Sequence, residues 1–435
     1  MQRSDPDFTI DNLGERQMTS SMSGIDFIDD KERILYPTDP RELQDYIKLG
    51  VAPPSFEAAG PREGICFDPD ELHCGIVTCG GLCPGTNDVI RAIVMSLHYH
   101  YGVRKISGFR YGFEGLNPDY GHELMTLSPE TVDDIHLKGG TILGTSRGPQ
   151  EIELMVDTLR VNKIGVLFGI GGDGTMRGLG ALVEEIRRRD LKIAVIGIPK
   201  TIDNDIMYVQ QSFGFETAVT ETRPAIYGAH MEATGARNGI GLVKLMGRHS
   251  GFIAAYATLA SSDVNFCVIP EVPFDLDNFL EALYKRLKRK KHAVIVAAEG
   301  AGQELMEATG ERDASGNLRL GDIGVFLKEV ITDFLETRNM EHTLKYIDPS
   351  YMIRSVASNA HDSVFCLLLG HNAVHAAMAG RTNMLVGNWK DRFTHVPISA
   401  VVTGRKKIDP RGRLWNNVQE ATGQPSEIFV APNEE

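Results

Sequence analysis

Three short stretches concentrate side chains suited to phosphate and proton chemistry. Gly80-Gly81-Leu82-Cys83-Pro84-Gly85-Thr86-Asn87 is a glycine loop, and Gly171-Gly172-Asp173-Gly174-Thr175 is a glycine turn with one carboxylate. Pro199-Lys200-Thr201-Ile202-Asp203-Asn204-Asp205 joins a cation, a hydroxyl and two carboxylates. A glycine loop ahead of a helix gathers unpaired backbone N–H groups and the positive helix end at one point, which suits phosphate. The same loop can be a plain tight connection, because glycine takes φ > 0 freely. An Asp-Asn-Asp cluster likewise has a bland use, capping its own turn.

These residues need elements that present them together. Gly75 to Cys79 reads as a strand, with a helix from Asp88 to His100 after the loop. Ile164 to Ile170 is a second strand, Met176 to Arg189 a helix, and Leu191 to Ile198 the next strand. A right-handed crossover makes these last two strands parallel, so Asp173 and the Asp203/Asp205 pair emerge at one carboxyl edge. Further on, Met246-Gly247-Arg248 follows the strand Ile240 to Leu245, and a small-residue helix runs from Ser250 to Ala260. Glu299-Gly300 follows the strand His292 to Ala298, which comes after a helix from Asp275 to Arg289 with Asp275 as N-cap. Helices are also predicted over Asp322 to Arg338 and Ala357 to Gly380. Strands alternating with helices give an α/β fold class.

The 435 residues, at about 150 per domain, allow two to three domains. Subtracting 58 acidic from 45 basic side chains leaves −13, a field that repels polyanions, so no nucleic-acid partner is expected. The basic run Lys285 to Lys291 reads as a solvated helix end that complements the dipole. No run of 18 apolar residues appears, which predicts no membrane span, and the N-terminus lacks a secretory pattern. Pro432 to Glu435 is not a peroxisomal address. Six cysteines do not make a disulfide framework and suit a reducing cytoplasm. Cys74, Cys79 and Cys83 lack metal-ligand spacing, and His361, His371 and His375 read as helix-surface or core residues. Met1 to Glu63 is polar and broken by prolines at 6, 37, 40, 53, 54 and 61. That composition predicts a partly disordered arm, or one that packs on a neighbouring subunit.

The four motifs together, Gly80-Gly81-x-x-Pro84-Gly85-x-Asn87, Gly-Gly-Asp-Gly-Thr, Pro-Lys-Thr-Ile-Asp-Asn-Asp and Met-Gly-Arg, closely resemble the 6-phosphofructokinase family over roughly residues 73 to 400. The resemblance implies two Rossmann-like parallel-sheet domains facing a cleft, with an N-terminal extension over 1–72. It places the nucleotide domain at 73–213 plus about 355–400, the fructose 6-phosphate domain at 214–354, and a C-terminal tail at 401–435. The implied reaction is phosphoryl transfer to the C1 hydroxyl of fructose 6-phosphate. In these terms Asp173 holds Mg²⁺, Asp203 is the base, and Thr201 bonds the sugar or the moving phosphate. Arg147 and Lys200 neutralise it, and Gly81, Gly172, Gly174 and Thr175 surround the donor phosphates. Met246, Gly247, Arg248, Glu299, Lys345, Tyr351 and Arg354 match the sugar-phosphate pocket, with Asp205 as support or cap. Gly239 stands where bacterial members carry an arginine that reaches across an interface, and Arg237 is the nearest substitute.

Two positions bear on the donor. Gly174 is the ATP-type residue, because a side chain there fills the path of the α-phosphate, whereas Lys200 is the pyrophosphate-type residue but tolerates either donor. The steric requirement decides for ATP. Arg110 or Tyr111 is placed to stack on adenine. Alternatives are a pyrophosphate-dependent relative, a catalytically silent regulatory subunit, and, more distantly, an NAD kinase. The family further implies a homo-oligomer, tetramer or dimer, in the cytoplasm.

Overall fold

The computed structural model describes residues 6–307, 310–312, 316 and 318–430. Their contacts divide into two units. The first comprises the described residues up to Thr201, Ile206–Gly214 and Val356–Arg405; the second comprises Ile202–Asp205, Phe215–Ser355 and the described residues from Lys406 on.

The first unit is built on a nine-stranded sheet. From edge to edge its order is Arg33–Leu35, Ser55–Ala58, Arg392–Pro397, Met384–Trp389, Ala194–Pro199, Val166–Gly171, His73–Thr78, Lys105–Phe109 and Met125–Thr126. The strands from Met384–Trp389 to Lys105–Phe109 run parallel, and antiparallel strands flank them. Every residue of Val166–Gly171 and Ala194–Pro199 is buried, as central parallel strands covered on both faces require. The helix Asp173–Arg188 buries Thr175, Met176, Leu179, Leu182, Val183 and Ile186, the stripe of a 3.6-residue period. Asp173 in its first turn and Arg187 and Arg188 in its last complement the dipole. The helix read from Asp88 begins earlier, at Thr86, and its α-helical part stops at Met95, with a π-helical turn over Ser96–His100.

The second unit holds a four-stranded, all-parallel sheet ordered Phe266–Val268, His292–Ala298, Gly239–Leu245, Thr343–Ile347. Asp275 caps Leu276–Lys290 by accepting from the Asn278 N–H at 2.8 Å. Asp322 caps Ile323–Thr337 through the N–H groups of Gly324 and Val325. The basic run closes the first of these helices at Lys291, whose left-handed backbone donates to Leu287 O. Lys288 lies over the Tyr284 ring.

Two expectations change. The N-terminal stretch is no loose arm over its described residues: it adds Arg33–Leu35 and Ser55–Ala58 to the main sheet and pairs Asp11–Asn12 with Arg381–Thr382. Phe8 and Phe56 are buried in the core with ring centroids 4.1 Å apart. Strands of two to four residues between prolines carry too little alternation to be read as strands. Similarly, the segment read as a tail forms the helix Arg413–Thr422, with Trp415 buried against Phe429. The C-terminal Pro432 to Glu435 lies outside the described residues, as do Met1 to Asp5.

A buried ionic cluster fastens the N-terminal stretch to the sheet. Glu57, 4% exposed, accepts from His395 Nδ1 at 3.0 Å, Arg381 Nε at 2.8 Å and Arg62 Nη2 at 3.3 Å. Burial raises the Glu57 carboxyl, but His395 and Arg381 outweigh it and bring it down to about 2. His375, on the helix Ala360–Met378, is also buried; it bonds Tyr101, and burial pulls it down to about 3.

Candidate active site

In the first unit the register sets three loops side by side. Thr78 pairs with Ile170, and Gly171 with Pro199, so the chain leaves neighbouring parallel strands together at 79–81, 172–175 and 200–201. This is the carboxyl edge, where parallel α/β sheets bind ligands. Lys200 is buried, and its Nζ donates to Gly81 O at 2.5 Å. The loop bearing Arg147 lies against the same glycines: Thr145 Oγ1 donates to Gly80 O at 2.6 Å, and Gly80 N to Ser146 O at 3.2 Å. A Cβ on Gly144 would come within 2.7 Å of the Tyr111 ring, so the Arg110–Tyr111 turn borders this loop as well. Arg110 and Arg147 are both exposed.

Asp173 opens its helix at that edge. Its Oδ2 accepts from Arg177 Nε and from Arg405 Nη2, both at 3.2 Å. Its Oδ1 is buried with no hydrogen-bond partner among the described residues. Gly171 is packed so tightly that a Cβ would stand 2.1 Å from Thr175 Oγ1. Gly174 differs: it lies in the first helical turn, and an added Cβ meets nothing within 4 Å. Neither backbone strain nor crowding within the chain therefore requires glycine at 174.

The second unit brings a different set together. The turn 202–205 carries Asn204 at φ 54, with Asn204 and Asp205 buried. Ser250 Oγ donates to Asp203 O at 3.2 Å and Lys406 N to Asp205 O at 2.8 Å. At the carboxyl edge of the smaller sheet Leu245 pairs with Ala298, which sends Met246–Arg248 and Glu299–Gly300 out together. Gly247, at φ 132, could not carry a Cβ, which would fall 2.5 Å from Ser250 O; at Gly300 one would fall 2.0 Å from Arg248 O. Burial raises the Glu299 carboxyl, opposed by the charges of Arg248, Lys244 and Arg354. Arg248 Nη1 donates to Leu318 O at 2.7 Å, and the Arg354 guanidinium lies 5.0 Å from the Tyr351 ring centroid.

Lys345 does not join this group within the chain. It is exposed and pairs in mid-strand with Gly241, four residues before Leu245, or roughly 13 Å along the strand. Gly239 has a packing reason, since a Cβ there would stand 2.2 Å from Ala233 O. Arg237 is exposed and paired with Glu341 at 3.1 Å.

The sequence of these loops matches known proteins over most of their length. The profile of the family described as phosphofructokinase matches residues 73–377. The ATP-dependent 6-phosphofructokinase of Borreliella burgdorferi is 49% identical over 96% of this chain and 97% of its own. That of Trypanosoma cruzi is 43% identical over 96% of this chain and 87% of its own. The chain belongs to the phosphofructokinase family. In fold it is also similar to the crystal structure of a pyrophosphate-dependent phosphofructokinase from Marinobacter aquaeolei, with TM-score 0.66 and 20% identity over 84% of this chain and 94% of that one.

Several residues that contact these loops escaped sequence reasoning. Arg405 reaches Asp173, Lys406 holds the 202–205 turn, and Lys244 Nζ bridges Asp322 at 2.8 Å and Asp348 at 2.9 Å. Arg405-Lys406-Lys407 was visible as a basic run after Gly404, yet it belongs to no motif. A single carboxylate with an orphaned oxygen fits Mg²⁺, which takes most of its ligands from water and donor phosphates. Among the described residues no group of three or more His, Cys, Asp or Glu forms a dedicated cage.

Proposed function

We propose that this protein is a Mg²⁺-dependent ATP:fructose-6-phosphate 1-phosphotransferase. The observation that carries the reading is the pairing of Asp173, whose buried Oδ1 has no hydrogen-bond partner among the described residues, with Gly174, beside which space is open. A helix N-terminus with a free carboxylate oxygen and room for a chain of phosphates suits a nucleoside triphosphate. The open side of Gly174 leaves the α-phosphate its path, and the ATP-dependent relatives agree.

Asp203 accepts the proton of the C1 hydroxyl as its oxygen bonds to the γ-phosphorus, the bond to the bridging oxygen breaks, and ADP leaves. Arg147 and Lys200 balance the charge spreading over the transferring oxygens, and Thr201 orients them. Arg248, Arg354 and Glu299 with Met246 and Gly247 hold the sugar phosphate, the raised Glu299 carboxyl being suited to hydrogen bonds with hydroxyls. Asp173 would hold the cation, which when bound supplies charge neutralisation on the phosphate oxygens. The enzyme is read as a cytoplasmic homo-oligomer, tetramer or dimer: its six cysteines are buried thiols in no disulfide, and Val364, Leu367 and Leu368 expose an apolar strip on the helix Ala360–Met378.

The test is purified protein with Mg²⁺ and fructose 6-phosphate, offered ATP or pyrophosphate separately. Fructose 1,6-bisphosphate is expected from ATP, and product from pyrophosphate alone would overturn the donor assignment.

A further inference from the structure

The turn 202–205 is held from outside its own motif. Asn204 sits at φ 54, a left-handed conformation that asparagine takes when its short polar side chain is held by hydrogen bonds. Three consecutive residues are gripped. Ser250 Oγ donates to Asp203 O, Lys406 Nζ donates to Asn204 Oδ1 at 3.0 Å, and Lys406 N donates to Asp205 O at 2.8 Å. Two of these donors belong to one residue. The Lys406 ammonium also lies 5.2 Å from the Phe252 ring centroid and near the Asp205 carboxylate. Desolvation brings it down to about 7 against the pull of Asp205, so it is kept in surroundings unfavourable to a lysine.

The strand of chain that carries Lys406 is itself anchored. Glu271 accepts the Gly251 N–H on both oxygens, at 3.0 and 2.9 Å, and the Ile408 N–H on Oε1 at 3.0 Å. Burial raises this carboxyl, and the Ile408 and Gly251 N–H groups oppose it. Glu271 thus ties residue 408 to Gly251, the residue after Ser250, so both grips on the turn share one frame.

We infer that Lys406 is a positioning residue for phosphoryl transfer: by holding Asn204 in its left-handed conformation and the Asp205 carbonyl in place, it aims the Asp203 carboxylate. The inference rests on the reading of Asp203 as base.

The experiment compares the native protein with Lys406→Met, Asn204→Gly and the double variant. Lys406→Met should lower kcat on the order of 10²-fold, the usual effect of a displaced reacting group. KM for both substrates should stay within about threefold, because uniform binding is untouched. Glycine adopts φ near +54 unaided, so adding Asn204→Gly should restore turnover at least about tenfold over Lys406→Met alone. Lys406→Met turnover close to native, or no recovery in the double variant, overturns the inference. If native protein yields no product from ATP and fructose 6-phosphate, the functional reading falls. The inference is then judged by urea unfolding, where Asn204→Gly must shift the midpoint differently with and without Lys406; equal shifts overturn it.

Discussion

At the scale of single residues, Gly174 and its neighbour Asp173 show what type and spacing can and cannot disclose. Both stood out in the sequence as members of a glycine turn, and the backbone explains why their types matter. Gly171 is glycine because the chain itself leaves no room, whereas Gly174 has an ordinary helical backbone and open space. A Gly174→Asp variant therefore separates ligand from fold. An aspartate in the first helical turn is favoured by the dipole by about 0.3–1 kcal/mol, so thermal stability should hold or rise slightly. ATP turnover should vanish, and unchanged ATP kinetics would refute the steric argument. Asp203→Asn should lower kcat about 10²–10⁴-fold with an unaltered melting curve; near-native turnover would remove Asp203 from the role of base. Lys406 was not legible because a lysine in a basic run carries no sign of what it will face once the chain folds.

Among elements, legibility followed length and periodicity. Strands buried on both faces, such as Val166–Gly171, and helices with side-chain caps, such as Leu276–Lys290, were read within a few residues. The short N-terminal strands were missed because their attachment is electrostatic and aromatic rather than periodic. Glu57 puts this to a pH test. Its carboxyl titrates at about 2 when folded against about 4.3 for an ordinary glutamate. A carboxyl depressed by folding contributes stability at pH values above its unfolded pKa and loses it as pH falls toward its folded one. Native protein should therefore lose stability between about pH 4.3 and 2 more steeply than Glu57→Gln, by difference in urea midpoints. At pH 7 the variant should be weaker by about 1.5–3 kcal/mol, since Arg62 and Arg381 each lose one charged partner and keep Asp30. Parallel acid profiles would show that Glu57 is not the group responsible.

For the whole molecule, the consequence is that residues 1–60 cannot be treated as a removable arm. Phe8 and Phe56 help fill the core of the larger unit. Truncating a buried phenylalanine typically costs about 3–5 kcal/mol, and a deletion through residue 60 removes both rings together with Glu57. Against a usual total of about 5–15 kcal/mol, that loss is enough to unfold the unit rather than to change its assembly. The same deletion bares the edge of Arg392–Pro397, which pairs with Ser55–Ala58 in the intact chain, and an open strand edge invites aggregation. The expected result is insoluble or unfolded protein, scored by yield and circular dichroism. The milder Phe56→Ala should stay soluble with a melting temperature lowered by several degrees. A soluble, cooperatively melting 61–435 fragment would mean that the larger sheet is stable without its N-terminal strands, and the arm reading would return.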